Sequence, residues 1–253
     1  MIGVIGMVTG LLLQFASWLI IARYGEPADY GVFSIGMAFL TLSVIVCGLG
    51  LQLGATRYIA FYLSRNDTHK VNMSIAIALF LPAVASLAVC AVFLIYADQL
   101  AAYLFHSTQM GTVIRLFAAS IPFLTMINII AAIFRGYGSV WPHALFQFIL
   151  VNLLFILALL VVTWLGLPFL YIYLAYLLTL VAVFILIVIY LLKKKPLPWS
   201  SLLTGWDWAF VREIFKFSLP LTGAFTINTL LCYMGVIILG FFSGTKEIGR
   251  AHV

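Results

Sequence analysis

Four arginines and a handful of side-chain amides are the residues in this sequence best equipped to hold a ligand. Arg23, Arg57, Arg115 and Arg135 each stand at the end of a long apolar run. A guanidinium so placed has two uses. Its stem can lie along apolar surface while its head reaches the polar headgroups, or it can turn into a central cavity and grip a diphosphate through paired N–H donors. Arg135 is the strongest candidate for the second use, because it extends a stripe of Thr125, Asn128 and Ala132 at helical spacing. Gln14, Gln52, Asn128, Gln147, Asn152 and Asn228 lie within apolar runs. An amide has both a donor and an acceptor to satisfy and is costly against hydrocarbon, so these side chains are expected to face a bundle interior or a wet cavity.

Other chemistry is poorly served. All seven acidic residues (Glu26, Asp29, Asp67, Asp98, Asp207, Glu213 and Glu247) fall in loops or at the ends of apolar runs. Carriers coupled to protons or sodium usually place an ionisable acid near the middle of the membrane, and a membrane-embedded hydrolase needs paired acids, a metal cluster or an activated nucleophile. Neither pattern is present, so no catalytic residue is assigned. His69 and His106 sit in loops and His143 opens an apolar run, without ligand spacing to any acid or second histidine. No metal site and no cofactor are expected. Cys47, Cys90 and Cys232 lie inside apolar runs without CxxC spacing and read as small buried hydrophobes.

The elements that must position these groups follow from composition. Of 253 residues 65% are hydrophobic and 8% charged, so the solvent for most of the surface has to be lipid. Crossing a hydrocarbon core takes roughly 20 apolar residues. Seven stretches qualify: about 2–22, 32–54, 71–96, 112–134, 144–164, 170–192 and 219–242, with Pro82 and Pro122 inside the third and fourth. An amphipathic stretch, 55–63, is expected to follow the second span along the membrane surface. Short loops make consecutive spans antiparallel neighbours in an all-α polytopic bundle.

Alternate loops differ in charge. One set carries Arg57, Arg65, Lys70, Arg135, Lys193, Lys194, Lys195, Arg212 and Lys216, the other Arg23, Arg115 and Lys246. That bias places the N-terminus and the connection 193–217 in the cytoplasm. It also accounts for the net charge of +6 without a nucleic-acid partner, because the cations are dispersed over loops and form no stripe. The segment Trp199 to Phe217 has two readings, an interfacial helix on the inner leaflet or a linker bearing aromatic belt residues. Small or polar stripes recur on the spans: Gly3, Gly6, Gly10, Gln14 and Ser17 on the first, Ser34, Ala38, Thr41, Gly48 and Gln52 on the second, Thr222, Thr226, Thr229 and Tyr233 on the seventh. Gly, Ala, Ser and Thr in such stripes read first as close helix packing.

Four strings carry a resemblance: 21–33 (IARYGEPADYGVF), 48–60 (GLGLQLGATRYIA), 134–138 (FRGYG) and 217–221 (FSLPL). In this order and spacing the chain resembles the polysaccharide biosynthesis, or O-antigen type, flippases of the superfamily that includes multidrug and toxin extrusion carriers. The resemblance implies a six-helix N-terminal lobe (1–192), a basic cytoplasmic connector (193–218) and the first helix of a second lobe (219–247). Asp29-Tyr30-Gly31 after the first span and Glu247-Ile248-Gly249 after the seventh are a short trace of that repeat. The tail 248–253 resembles one reading frame of a sequencing adapter and is expected to be non-native, with the remainder of the second lobe missing.

What the family implies is a non-enzymatic transporter of the cell membrane that moves a lipid-linked oligosaccharide to the outer leaflet. In that reading Arg23, Arg57, Arg115 and Arg135 are candidates for the phosphates, and Gln14, Gln52, Asn128, Asn152 and Asn228 for the sugar hydroxyls. Its partners would be the lipid-linked oligosaccharide, the bilayer, the missing second lobe and other polysaccharide assembly proteins. The alternatives are a cation-coupled multidrug exporter of the same superfamily and a membrane-embedded polymerase or acyltransferase.

Overall fold

Helix punctuation in the sequence sets the elements. In the computed structural model, which describes residues 2–102, 109–194 and 207–242, α1 spans Ile2–Tyr24 and α2 begins at Pro27, where a missing N–H costs nothing. The Glu26 N–H donates to the Asp29 carboxylate at 3.2 Å, and Asp29 also lays negative charge on the positive end of α2. These two acids start a helix. α2 (Pro27–Gly48) and α3 (Leu51–Ser64) are separated by Leu49 and Gly50, both left-handed with φ of 50° and 66°. Asp67 caps α4 (Thr68–Leu100) by accepting from the Lys70 N–H at 3.1 Å.

The rest is a succession of long apolar rods. α5 is Gln109–Gly136; α6 (Val140–Ala144), a π-helical turn (Leu145–Leu150) and α7 (Val151–Trp164) run end to end; α8 is Leu170–Lys194 and α9 is Trp208–Phe242. Among the described residues there is no strand, and seven helices or helix pairs are long and apolar enough to span a membrane. Pro82, Pro122 and Pro220 lie within continuous helices.

Residues 55–63 present one face to protein: the apolar side of α3 (Leu51, Ala55, Tyr58, Ile59, Tyr62) is buried against α4, α5 and α9. One boundary moves. The seventh helix starts at Trp208, eleven residues before the expected boundary, so the part of the Trp199–Phe217 segment that is described belongs to α9. Lys195, Trp199, Trp206, His106, Glu247 and the tail 248–253 lie outside the described residues.

α5 is the axis of the bundle, in contact with α2, α3, α4, α6 and α8. On one side Phe33 sits among the rings of Trp18, Phe117, Phe155, Tyr173 and Tyr176, with centroids 5.5–6.5 Å apart. On the other, Tyr58, Ile59, Tyr62, Met73, Ile129, Ile133, Phe210 and Ile214 form a second cluster tying α9 to α3, α4 and α5. The Phe134 and Tyr190 rings, 5.2 Å apart, bring the end of α8 beside the end of α5. Arg57, Arg65, Lys70, Arg135, Lys193, Lys194, Arg212 and Lys216 therefore collect at one end of the bundle. Elsewhere the outer surface is apolar: Leu12, Ile95 and Trp164 are 66%, 72% and 84% exposed, which suits lipid and not water.

The glycine stripe of α1 is a packing face. A Cβ at Gly6 would lie 2.7 Å from that of Ala144, and one at Gly10 would lie 2.6 Å from the Cβ of Phe148 and 2.9 Å from its carbonyl oxygen. Gly10→Val is expected to lower the thermal midpoint of the detergent-solubilised protein by several degrees, since forcing α1 off the π-helical turn at Phe148 costs about 1–3 kcal/mol. Gly223→Ala, on a helix with open space around it, is the matched control and is expected to leave the midpoint unchanged or slightly raised.

Candidate functional site

A cavity of about 250 Å³ opens where four helices meet at the α2–α3 turn. Ile45 and Gly48 line it from α2, Gly50, Gln52 and Leu53 from the turn and α3, Arg135 from the end of α5, and Thr222 and Phe225 from α9. Its walls depend on backbone contacts that only small residues permit. A side chain on Gly50 would collide with the Ser218 carbonyl oxygen and lie 2.7 Å from the Thr222 hydroxyl, and one on Gly54 would collide with the Ser218 hydroxyl. Gly50-x-x-x-Gly54 thus meets Ser218-x-x-x-Thr222, two small-residue pairs one helical turn apart. On the other flank a Cβ at Gly136 would lie 2.9 Å from that of Ile59 and 3.3 Å from the Thr56 Cα, so α5 rides directly on α3. Leu49 holds its left-handed conformation at a cost of about 1 kcal/mol, and the turn aims Gln52 and Leu53 at the cavity.

Arg135 is the charge in this site. Its Nε donates to the Thr56 hydroxyl at 3.2 Å, and that hydroxyl in turn points its proton at the carbonyls of Gln52 (2.8 Å) and Ala132 (3.1 Å). Among the described residues the Arg135 Nη groups take no hydrogen-bond partner and no carboxylate pairs with them. The one ion pair there is Arg115–Asp98, 2.6 Å, at the other end of α5. Just beyond the helix, burial pushes the Tyr137 hydroxyl up from the ordinary phenol range, so it stays neutral near the arginine.

The structure thus brings two of the nine sequence candidates, Arg135 and Gln52, into one cavity. Arg57 is exposed one residue beyond Thr56, its guanidinium 4.1 Å above the Phe217 ring. Arg23 is exposed at the end of α1, and Gln14 and Asn228 are exposed on α1 and α9. Asn152 spends its Nδ2 on the Phe148 carbonyl of its own helix, 2.7 Å away, and Asn128 is half-buried on α5, two turns before Arg135. Among the described residues no group of three His, Cys, Asp or Glu side chains could hold a metal ion. Thr56 is not singled out by type or spacing. The signal that held it was the string 48–60, which meets 134–138 and 217–221 at this one place; 21–33 lies elsewhere, its Phe33 in the aromatic core.

A family model described as polysaccharide biosynthesis protein matches residues 2–250. The chain belongs to this family. A search of curated proteins gives no match. Among solved structures it is similar to an inward-facing multidrug resistance MATE family transporter of the MOP superfamily (17% identity, TM-score 0.77, 95% of this chain and 56% of that one). It is similar also to an outward-facing form (19%, 0.71, 86% and 50%). A third is a MOP superfamily transporter from Pyrococcus furiosus, whose reported reverse polarity of the binding pocket suggests a different function for that protein (18%, 0.77, 99% and 57%). The chain spans little more than half the length of these transporters, and the likeness establishes a shared fold. This family member is a multi-pass membrane protein with the architecture of a MATE/MOP transporter.

The glycine contacts yield a direct test. Ser218 is fully buried beneath Gly54, so a cysteine placed there should react slowly with a maleimide. Adding Gly54→Val to Ser218→Cys is expected to lift α9 from α3 and speed labelling about tenfold or more. Equal rates would show that α9 is not seated on Gly54.

Proposed function

We propose that this protein is the part of a flippase that holds the phosphate of a lipid-linked oligosaccharide while the lipid passes from the cytoplasmic to the outer leaflet of the cell membrane. The observation that carries the reading is Arg135: a half-buried guanidinium whose Nη groups take no hydrogen-bond partner among the described residues, lining a cavity with Gln52 and Thr222. A partly buried cation with idle donors is costly unless an anion meets it. A phosphate does so with two parallel hydrogen bonds, and the amide and hydroxyl beside it suit a sugar's first hydroxyls. Family membership in polysaccharide biosynthesis and a transporter fold support the substrate class and the reaction type.

In this reading the basic end of the bundle faces the cytoplasm, which puts the N-terminus on the same side. Alternating exposure of the cavity needs a second bundle opposite the first, and this chain spans little more than half the length of the transporters it matches. We assign that role to a second lobe of the same protein. Arg115 is committed to Asp98 and Arg57 to the Phe217 ring, so Arg135 carries the phosphate and the other arginines serve the membrane boundary. A second reading, a cation-coupled multidrug exporter, draws on the MATE fold. It is disfavoured because a cationic arginine repels cationic drugs and, among the described residues, no acid lines the cavity.

Expressing the full-length gene in a flippase-null strain tests the proposal. The wild type is expected to restore surface polysaccharide, Arg135→Gln to lose at least tenfold of that rescue, and Arg115→Gln to retain most of it. Drug efflux without polysaccharide rescue would favour the exporter, and accumulation of lipid-linked units inside cells making the wild-type protein would sink the flippase reading.

A further inference from the structure

We propose that Thr56 is a positioning residue that turns Arg135 into an end-on fork, and that the fork selects a single phosphate group in a way a lysine cannot reproduce. The inference rests on the reading of Arg135 as the phosphate ligand. It begins with one hydroxyl and its proton. Thr56 Oγ1 lies 2.8 Å from the Gln52 carbonyl on its own helix and 3.1 Å from the Ala132 carbonyl across the helix contact. Both are acceptors only, so the single hydroxyl proton is drawn to them, and the oxygen's remaining lone pair is what Arg135 Nε meets at 3.2 Å. The polarity of the hydroxyl is fixed by two backbones.

A guanidinium offers two bidentate edges, Nε with one Nη, and the Nη pair. With Nε spent on Thr56 the side-on edge is occupied, and the Nη pair is left for the cavity that Arg135 lines. Two parallel donors at the tip of a clamped side chain match two oxygens of one phosphate. A lysine in this place keeps the charge but has no planar fork and no Nε for Thr56 to hold. The register is itself pinned: Gly136, next to the arginine, packs so closely on Ile59 and Thr56 that α5 cannot slide along α3 without a clash. Thr56 thereby joins α3, α5 and the ligand through one atom, although its own side chain does not line the cavity.

The test measures binding of a short isoprenyl diphosphate, farnesyl diphosphate, to the full chain in lipid nanodiscs. Thr56→Ser keeps the oxygen and Thr56→Val keeps the shape, so wild type and Thr56→Ser are expected to bind alike, with Thr56→Val weaker by about tenfold. Arg135→Lys is expected to lose about as much, and adding Thr56→Val to Arg135→Lys to cost nothing further, because the coupled pair is already broken. A role confined to packing would let Thr56→Val bind normally or would make the two losses add; either result overturns the positioning role. If Thr56→Val does not fold, Thr56→Ala takes its place with the same expectations. Wild-type affinity retained by Arg135→Gln would instead overturn the phosphate site itself, leaving the two failures distinguishable.

Discussion

At Gly50, Gly54 and Gly136 α3, α5 and α9 come together across positions that carry no side chain of their own, and the cavity depends on that close approach. A helix with ordinary side chains keeps its neighbour 8–10 Å away, axis to axis. Glycine removes the spacer, and hydroxyls on the opposing helices fill the hollow. The left-handed pair Leu49–Gly50 breaks the chain between α2 and α3, and residues from both helices line the cavity. Were the Gly136 contact opened, Thr56 would leave Arg135 and the guanidinium would become one more flexible cation near the membrane boundary.

Lipid as solvent explains why so few polar groups remain available. Hydroxyls along the helices return their protons to their own turns: Ser17 to Leu13, Ser34 to Tyr30, Thr41 to Met37, Ser74 to Lys70 and Ser120 to Leu116, all between 2.7 and 3.0 Å. Such bonds neutralise a polar stripe without any partner helix. A stripe of serine and threonine is therefore a poor indicator of a site, and an arginine with idle N–H groups is a better one. Arg115 shows the contrast: the same side chain, on the same helix, is tied to a carboxylate.

The residues named from their chemistry divide along the same line. Arg135 and Gln52 reach the cavity because the α2–α3 turn and the Gly136 contact bring them there. Arg23, Gln14 and Asn228 are exposed on α1 and α9, on faces that nothing in the sequence distinguishes from the buried ones, since a membrane helix is apolar all round. Periodicity, which orients helices in water, loses its power when lipid and protein interior have the same polarity. The α3 stretch is a related case: amphipathicity marks a helix with two environments, and its apolar face is taken up by α4, α5 and α9.

Composition and run length alone determined that the chain is a membrane protein with seven stretches long and apolar enough to cross, because no other solvent tolerates so much apolar surface and roughly 20 residues are needed per crossing. The alternation of cationic loops also determined that one end of the bundle would be basic. The ordered strings 48–60, 134–138 and 217–221 marked residues that belong together but not how. Only the tertiary structure decided that these three strings meet around one cavity, that α9 begins at Trp208 and seats on α3, and that the Thr56 hydroxyl rather than one of the amides stands behind Arg135. Those facts depend on where helices touch, and contact between helices in a membrane is set by backbone distance and shape, which hydrophobicity does not encode.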